Sequence, residues 1–188
     1  MSGLFCAVVG PSGAGKDTLI DFARAALKDD GRYVFARRVI TRPADAGGED
    51  HIAASETDFA RMKAAGAFAL SWHANGLDYG LPASLADDIA DGRTVVANIS
   101  RAALEEACAG FAEVRAIHVT ASPAILAERL AARHRETADE IAARLKRYGE
   151  EITGACPVVT IVNDGTVEEA GEAFVAALRQ MSAEAGSA

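Results

Sequence analysis

The chain has 188 residues, half of them hydrophobic and 24% charged, which suits one domain with room for a small insert. Its formal net charge of −8 argues against a long nucleic-acid partner, because a polyanion needs a basic face. No apolar run reaches the ~20 residues of a membrane span, and three scattered cysteines without C-x-x-C spacing point to a reducing cytoplasm. LFCAVVG (4–10) is a short apolar run ending in glycine and reads as a buried strand, not a secretory leader. KDTLIDFARAALKD (16–29) sets Leu19, Phe22, Ala23, Ala26 and Leu27 on one side of a helix. YVFARRVI (33–40) reads as a second strand, followed by a loop of Pro, Gly and acids over 41–51. Ser55 and Asp58 predict the capped start of a helix in SETDFARMKAAG. FALSW and LDYG flank a turn at HANG, and a further helix is expected from near Pro82.

The second half keeps a strand–helix rhythm. TVVANIS (94–100) precedes a helical stretch from Arg101, and EVRAIHVTA (113–121) precedes a helix opened by Pro123 in its first turn. Thr137 with Glu140 has the spacing of a capping box before IAARLKRYGEEI. PVVTIVN (157–163) is the last apolar strand, and Thr166 with Glu169 caps a final helix before a frayed tail. Strands alternating with helices predict an α/β domain with a mainly parallel sheet.

Residues 10–18, GPSGAGKDT, lie between the first strand and the first helix, the context in which a glycine loop binds phosphate. Gly10, Gly13 and Gly15 let the backbone turn its N–H groups inward, and Pro11, Ser12, Ala14 and Thr18 complete the loop. The helix N-terminus adds partial positive charge, and Lys16 adds a full one. Asp17 stands where such loops normally carry Ser or Thr. A bare carboxylate beside a triphosphate would be repelled, a conflict that Mg²⁺ between them removes. Alternatively Asp17 faces away and complements the helix dipole, with Thr18 or water serving the metal.

Taken in order, GPSGAGK, TRP followed by GEDH, AGAFALSWHANGLDYGLP, the arginine-rich ERLAARHR and IAARLKR, and VTIVND resemble the guanylate kinase layout over nearly the whole chain. That resemblance implies a P-loop NTPase fold, three-layer α/β/α. The core would be 1–34, 93–128 and 155–182, with an acceptor-binding insert at about 35–92 and a helical lid at about 129–150. It implies ATP as phosphoryl donor with Mg²⁺, and small-molecule substrates rather than nucleic acid or membrane; the oligomeric state is left open. The positions at which that family reads guanine depart. Its base-reading Glu corresponds to Leu70 and its second acidic reader to Ser100, and such exchanges would leave a guanine edge unpaired.

Cationic capacity is kept. Arg42 and Tyr79 match family residues that hold the acceptor phosphate, Arg38 replaces a phosphate-binding serine, and His51 replaces a phosphate-binding tyrosine. GPSGAGKDTL, RRVITRPADAGGEDH, GLDYGLP and VVANISR together look like the ribose 1,5-bisphosphate phosphokinase branch, including the Asp after the P-loop Lys. The resemblance then implies acceptor binding by Arg38, Arg42, His51, Tyr79 and Ser100. Nucleotide binding falls to the loop from Gly10 to Thr18 with Asn163, the metal to Asp17, and catalysis to Lys16, Arg133 and Arg144. His51 could instead cap its loop, Asn163 could be an ordinary turn asparagine, and Asn98 could touch the sugar. Competing readings are a guanylate or other nucleoside monophosphate kinase, a non-catalytic interaction module, and a P-loop kinase for another phosphorylated sugar.

Overall fold

The computed structural model describes residues 3–44, 49–132 and 156–186. Strand β1 (Leu4–Val9) is buried along its whole length. Its side chains alternate, as a strand's must, so Leu4, Cys6 and Val8 enter one hydrophobic cluster and Phe5, Ala7 and Val9 the other. A strand apolar on both faces belongs at the centre of a covered sheet. β1 is flanked in parallel by β7 (Thr94–Asn98) and β8 (Val114–Thr120), with β2 (Tyr33–Phe35) and β9 (Val158–Val162) at the edges, in the order β2-β7-β1-β8-β9.

Helices cover both faces of this parallel sheet. Helix α1 (Lys16–Ala26) and the last helix, α6 (Val167–Ala185), pack Leu19, Ala23, Phe174 and Leu178 against one side. Leu85 of α3 (Leu85–Ala90) and Leu104 and Ala107 of α4 (Leu104–Gly110) join the cluster on the other. Helix α5 (Pro123–Ala132) adds Leu126 to the first. The predicted capping box opens α6: Glu169 N–H donates to Thr166 Oγ1 at 3.2 Å, and Thr166 N–H donates back to Glu169 Oε2 at 3.1 Å. Ser55 likewise caps helix α2 (Glu56–Ala64) by accepting from Asp58 N–H at 3.0 Å.

A second sheet, in the order β4-β3-β6-β5, is built from β3 (Val39–Ile40), β4 (Ile52–Ala53), β5 (Phe68–Ala74) and β6 (Leu77–Pro82). Its hairpin turns on Asn75 and Gly76, both at positive φ (52° and 74°), the two-residue turn whose twist suits paired strands. Here the run over 33–40 differs from its sequence reading. It is two strands in two sheets, because the chain leaves β7 after Ala36 and pairs Val39 with Gly80 of β6. Pro82 ends β6, and the helix expected there starts three residues later, at Leu85. Arg133, Arg144, Thr137 and Glu140, with most of the expected lid, lie outside the described residues. Among the described residues no helix is long and apolar enough to cross a membrane.

Candidate active site

The glycine loop wraps the N-terminus of α1. Gly10, Gly13 and Gly15 all have positive φ, and Gly15, the helix N-cap, has φ 91° and no side chain with which to cap the helix. The first-turn N–H groups of α1 are therefore not closed off by a side-chain cap, the arrangement that receives anions. Lys16 Nζ donates to the carbonyls of Gly10 (2.9 Å) and Pro11 (3.0 Å), so its charge is held across the mouth of the loop.

The loop is braced from below. Asn163, just past β9, donates from Nδ2 to the Ala14 carbonyl at 2.8 Å, and its own carbonyl accepts from Arg129 Nη2 at 3.0 Å. Both Ala14 and Asn163 are buried. The Asn163 amide is thus engaged with the backbone of the phosphate loop. Among the described residues, its Oδ1 and the Nη1 of Arg129 are buried without a hydrogen-bond partner.

A cleft of about 480 Å³ opens above the loop. One wall is the loop itself from Gly10 to Thr18, Ala14 excepted; the other carries Arg38, Trp72, Tyr79, Asn98, Ser100 and Arg101. Asp17 is the one acid in this wall among the described residues. Its Oδ1 accepts from Asn98 Nδ2 at 2.7 Å, which ties the unusual carboxylate to the end of β7. Among the described residues no group of three or more His, Cys, Asp or Glu side chains gathers to hold a metal. One carboxylate and the Thr18 hydroxyl, completed by phosphate oxygens and water, nevertheless make a donor set that Mg²⁺ accepts.

Arg38 is fixed from two sides. Glu49 accepts from its Nε at 2.7 Å and from its Nη2, and the Tyr79 ring lies 5.1 Å from its guanidinium carbon. Tyr79 is in turn stacked on Trp72, with centroids 5.3 Å apart and planes within 5°. Arg42 and His51 sit behind this wall and do not line the cleft. His51 is buried with Nε2 3.2 Å from the Arg42 carbonyl and Nδ1 3.1 Å from the Glu49 carbonyl and 3.3 Å from Arg42 Nη2. Both ring nitrogens thus face atoms of its own loop. Ser100 is at the cleft, where its hydroxyl accepts from Ala103 N–H at 3.1 Å and starts the 3-10 turn Arg101–Ala103.

Three contributors went unnoticed in the sequence. Arg101 brings a further cation to the cleft, and a basic residue just past a strand's carboxyl end is the signal that would have found it. Trp72 forms part of the wall through the strand alternation that also points Ala74 there. His118 on β8 has its pKa lowered by burial and then by the positive charges of Arg101 and Lys16, which reports a cationic cleft from outside its wall. Leu70 is only 3% exposed and packs into the hydrophobic cluster.

No family model matches the chain. It is 48% identical over 180 residues to ribose 1,5-bisphosphate phosphokinase PhnN of Brucella melitensis biotype 2, covering 96% of this chain and 94% of that protein. It is 52% identical over 177 residues to the bifunctional ribose 1,5-bisphosphokinase-thymidine phosphorylase of Azorhizobium caulinodans, covering 94% of this chain but 26% of that protein. The chain thus spans about a quarter of the length of the bifunctional relatives it matches. Among solved structures, a guanylate kinase from Anaplasma phagocytophilum superposes with TM-score 0.70 at 21% identity, over 95% of this chain and 86% of that one. A gluconokinase from Sinorhizobium meliloti superposes at 0.55 and 16% identity, over 97% and 95%. At such identities the likeness is one of fold, the P-loop α/β kinase fold.

Proposed function

The chain belongs to the ribose 1,5-bisphosphate phosphokinase family, and from that premise we propose that it transfers the γ-phosphoryl group of ATP to the C1 phosphate of ribose 1,5-bisphosphate. The products are 5-phosphoribosyl 1-diphosphate and ADP, a step in phosphonate degradation. The observation that carries this reading is a cleft with a phosphate-cradling loop on one wall and Arg38, Tyr79 and Arg101 on the other, with Leu70 buried away from it. Such a cleft has charge for two anions and no carboxylate at the expected base-reading positions, Leu70 and Ser100.

The attacking group is a phosphate oxygen, already anionic near neutral pH, so no general base is required. Rate then comes from alignment and from neutralising charge on the transferring group. Lys16 and the N-terminus of α1 hold the donor phosphates. Arg38 grips the acceptor through its planar fork, Tyr79 and Ser100 add hydrogen bonds, and Arg42 and His51 back them from the loop that follows. By the family resemblance, Arg133 and Arg144 serve the transferring phosphoryl group, and the insert at about 35–92 binds the acceptor. When bound, Mg²⁺ supplies charge neutralisation on the donor phosphates. Asp17 and Thr18 are the residues that would hold it, and Asn98 orients Asp17 by its hydrogen bond.

The likeness in fold to a guanylate kinase keeps one competitor, a nucleoside monophosphate kinase. Offering ATP with ribose 1,5-bisphosphate, GMP, AMP and other sugar phosphates in parallel, and following ADP release, separates the two. Formation of 5-phosphoribosyl 1-diphosphate with little turnover of nucleotides is the expected result. Preferential use of GMP would overturn the proposal.

A further inference from the structure

Resting on the acceptor site just described, we infer that Glu49 is a positioning residue that locks the Arg38 guanidinium and thereby sets the affinity for the acceptor. The puzzle is a carboxylate built into a site for anions. Both Glu49 oxygens are on Arg38, Oε2 accepting from Nε at 2.7 Å and Oε1 from Nη2, and Oε1 also stands 3.7 Å from Arg42 Nη2. The three side chains are largely withdrawn from water, at 10% exposure for Arg38, 15% for Glu49 and 21% for Arg42. One carboxylate oxygen therefore sits between two guanidinium groups that would otherwise repel each other in a poorly solvated place.

Geometry distinguishes a lock from a plug. Glu49 occupies the Nε–Nη2 edge of Arg38, and Tyr79 lies under its face. The Nη1–Nη2 edge is the one left for the cleft that Arg38 lines. A guanidinium held on one edge and one face keeps its second edge aimed for two-oxygen contact with a phosphate, and the ordering cost is met before the acceptor arrives. Without the carboxylate, Arg38 and Arg42 lose their shared counter-charge and Arg38 regains its rotamers, so the acceptor must pull it back into place. Glu49 thus acts through Arg38, and the donor loop is not involved.

The test is Glu49→Gln, which keeps shape and removes charge, with Glu49→Asp as the conservative variant. KM and kcat are measured separately for acceptor and ATP, on whichever phosphorylated acceptor the wild type turns over best. We expect Glu49→Gln to raise the acceptor KM about tenfold with the ATP KM within about twofold, and Glu49→Asp to recover part of the loss. An acceptor KM that is unchanged or lowered would show Glu49 to be a bystander or a competitor, and an equal rise in ATP KM would show a general structural effect; either overturns the inference. Because Glu49→Gln could fold poorly, the pair Arg38→Ala and Arg38→Ala/Glu49→Gln, in which no cation remains at position 38, provides a second measure. Equal acceptor KM values in those two support action through Arg38, and a further rise in the double variant refutes it. If the wild type prefers GMP the functional proposal falls, while Glu49 is still judged on the KM for GMP.

Discussion

Replacing Gly15 by alanine strikes the anion cradle at its tightest point. Gly15 has φ 91° and ψ 19°, a left-handed conformation that costs a residue with a Cβ about 1–2 kcal/mol. The added methyl would lie 2.4 Å from Asn163 Nδ2, inside any real contact distance, so Asn163 must move. Moving it breaks the 2.8 Å bond to the Ala14 carbonyl and leaves buried polar groups unpaired, a further loss of about 1–3 kcal/mol. The sum is about 2–5 kcal/mol, a large fraction of the 5–15 kcal/mol by which domains are ordinarily stable. Urea unfolding of wild type and Gly15→Ala should show that drop, and the ATP KM should rise at least about tenfold because the loop no longer presents its N–H groups correctly. Asn163→Ala removes the bond without the backbone strain, so it should cost about 1–3 kcal/mol and combine less than additively with Gly15→Ala. A Gly15→Ala protein within about 0.5 kcal/mol of wild type and with unaltered ATP KM would refute the reasoning.

Asp17→Ala should raise the Mg²⁺ concentration for half-maximal rate about tenfold, with a smaller rise for Asn98→Ala, whose loss only frees the Asp17 carboxylate to turn; an unchanged Mg²⁺ demand in Asp17→Ala removes that residue from the metal's surroundings. Leu70→Glu should not create a guanine reader. It forces a carboxylate into a site 3% exposed and should destabilise the fold by about 3 kcal/mol or more, so a stable variant with new GMP turnover would contradict the packing described. Burial pushes the Cys6 thiol up from 9.0 to about 12. A raised thiol pKa in the folded state gives stability that is whole below pH 9 and lost as the pH climbs toward 12, by up to about 1.4 kcal/mol per unit. Urea midpoints at pH 8, 9 and 10 should therefore fall more steeply in wild type than in Cys6→Ala, and parallel curves would count against it.

What was legible in the sequence was local. The glycine loop, the caps at Ser55 and Thr166 and the Asn75–Gly76 hairpin each declare themselves within four residues, and each is found as read. The run 33–40 misled because it was read as one strand through Arg37 and Arg38, where the chain changes sheet, and the pairing partners of Val34 and Val39 reveal the break. Asn98 and Asp17 are 81 positions apart, Asn163 and Ala14 149, so their bonds carry no signal along the chain. No spacing rule says that the His51 ring turns toward the backbone carbonyls of Arg42 and Glu49, or that Arg38 lines the cleft.

The two sheets share one hydrophobic layer, in which Ile40, Leu70, Tyr79 and Leu81 of the second meet Phe5, Val95 and Ile99 on the first sheet's side. The second sheet consequently cannot be treated as a cassette. Grafting it onto a related kinase would strand half of that layer, and expressing it alone would leave it open to solvent. Because Trp72, Ala74 and Tyr79 line the cleft from the same face that buries Leu70 and Leu81, new acceptors are to be sought at its cleft end, at Ala74 and Asn75, one at a time, with Leu70 and Leu81 left untouched.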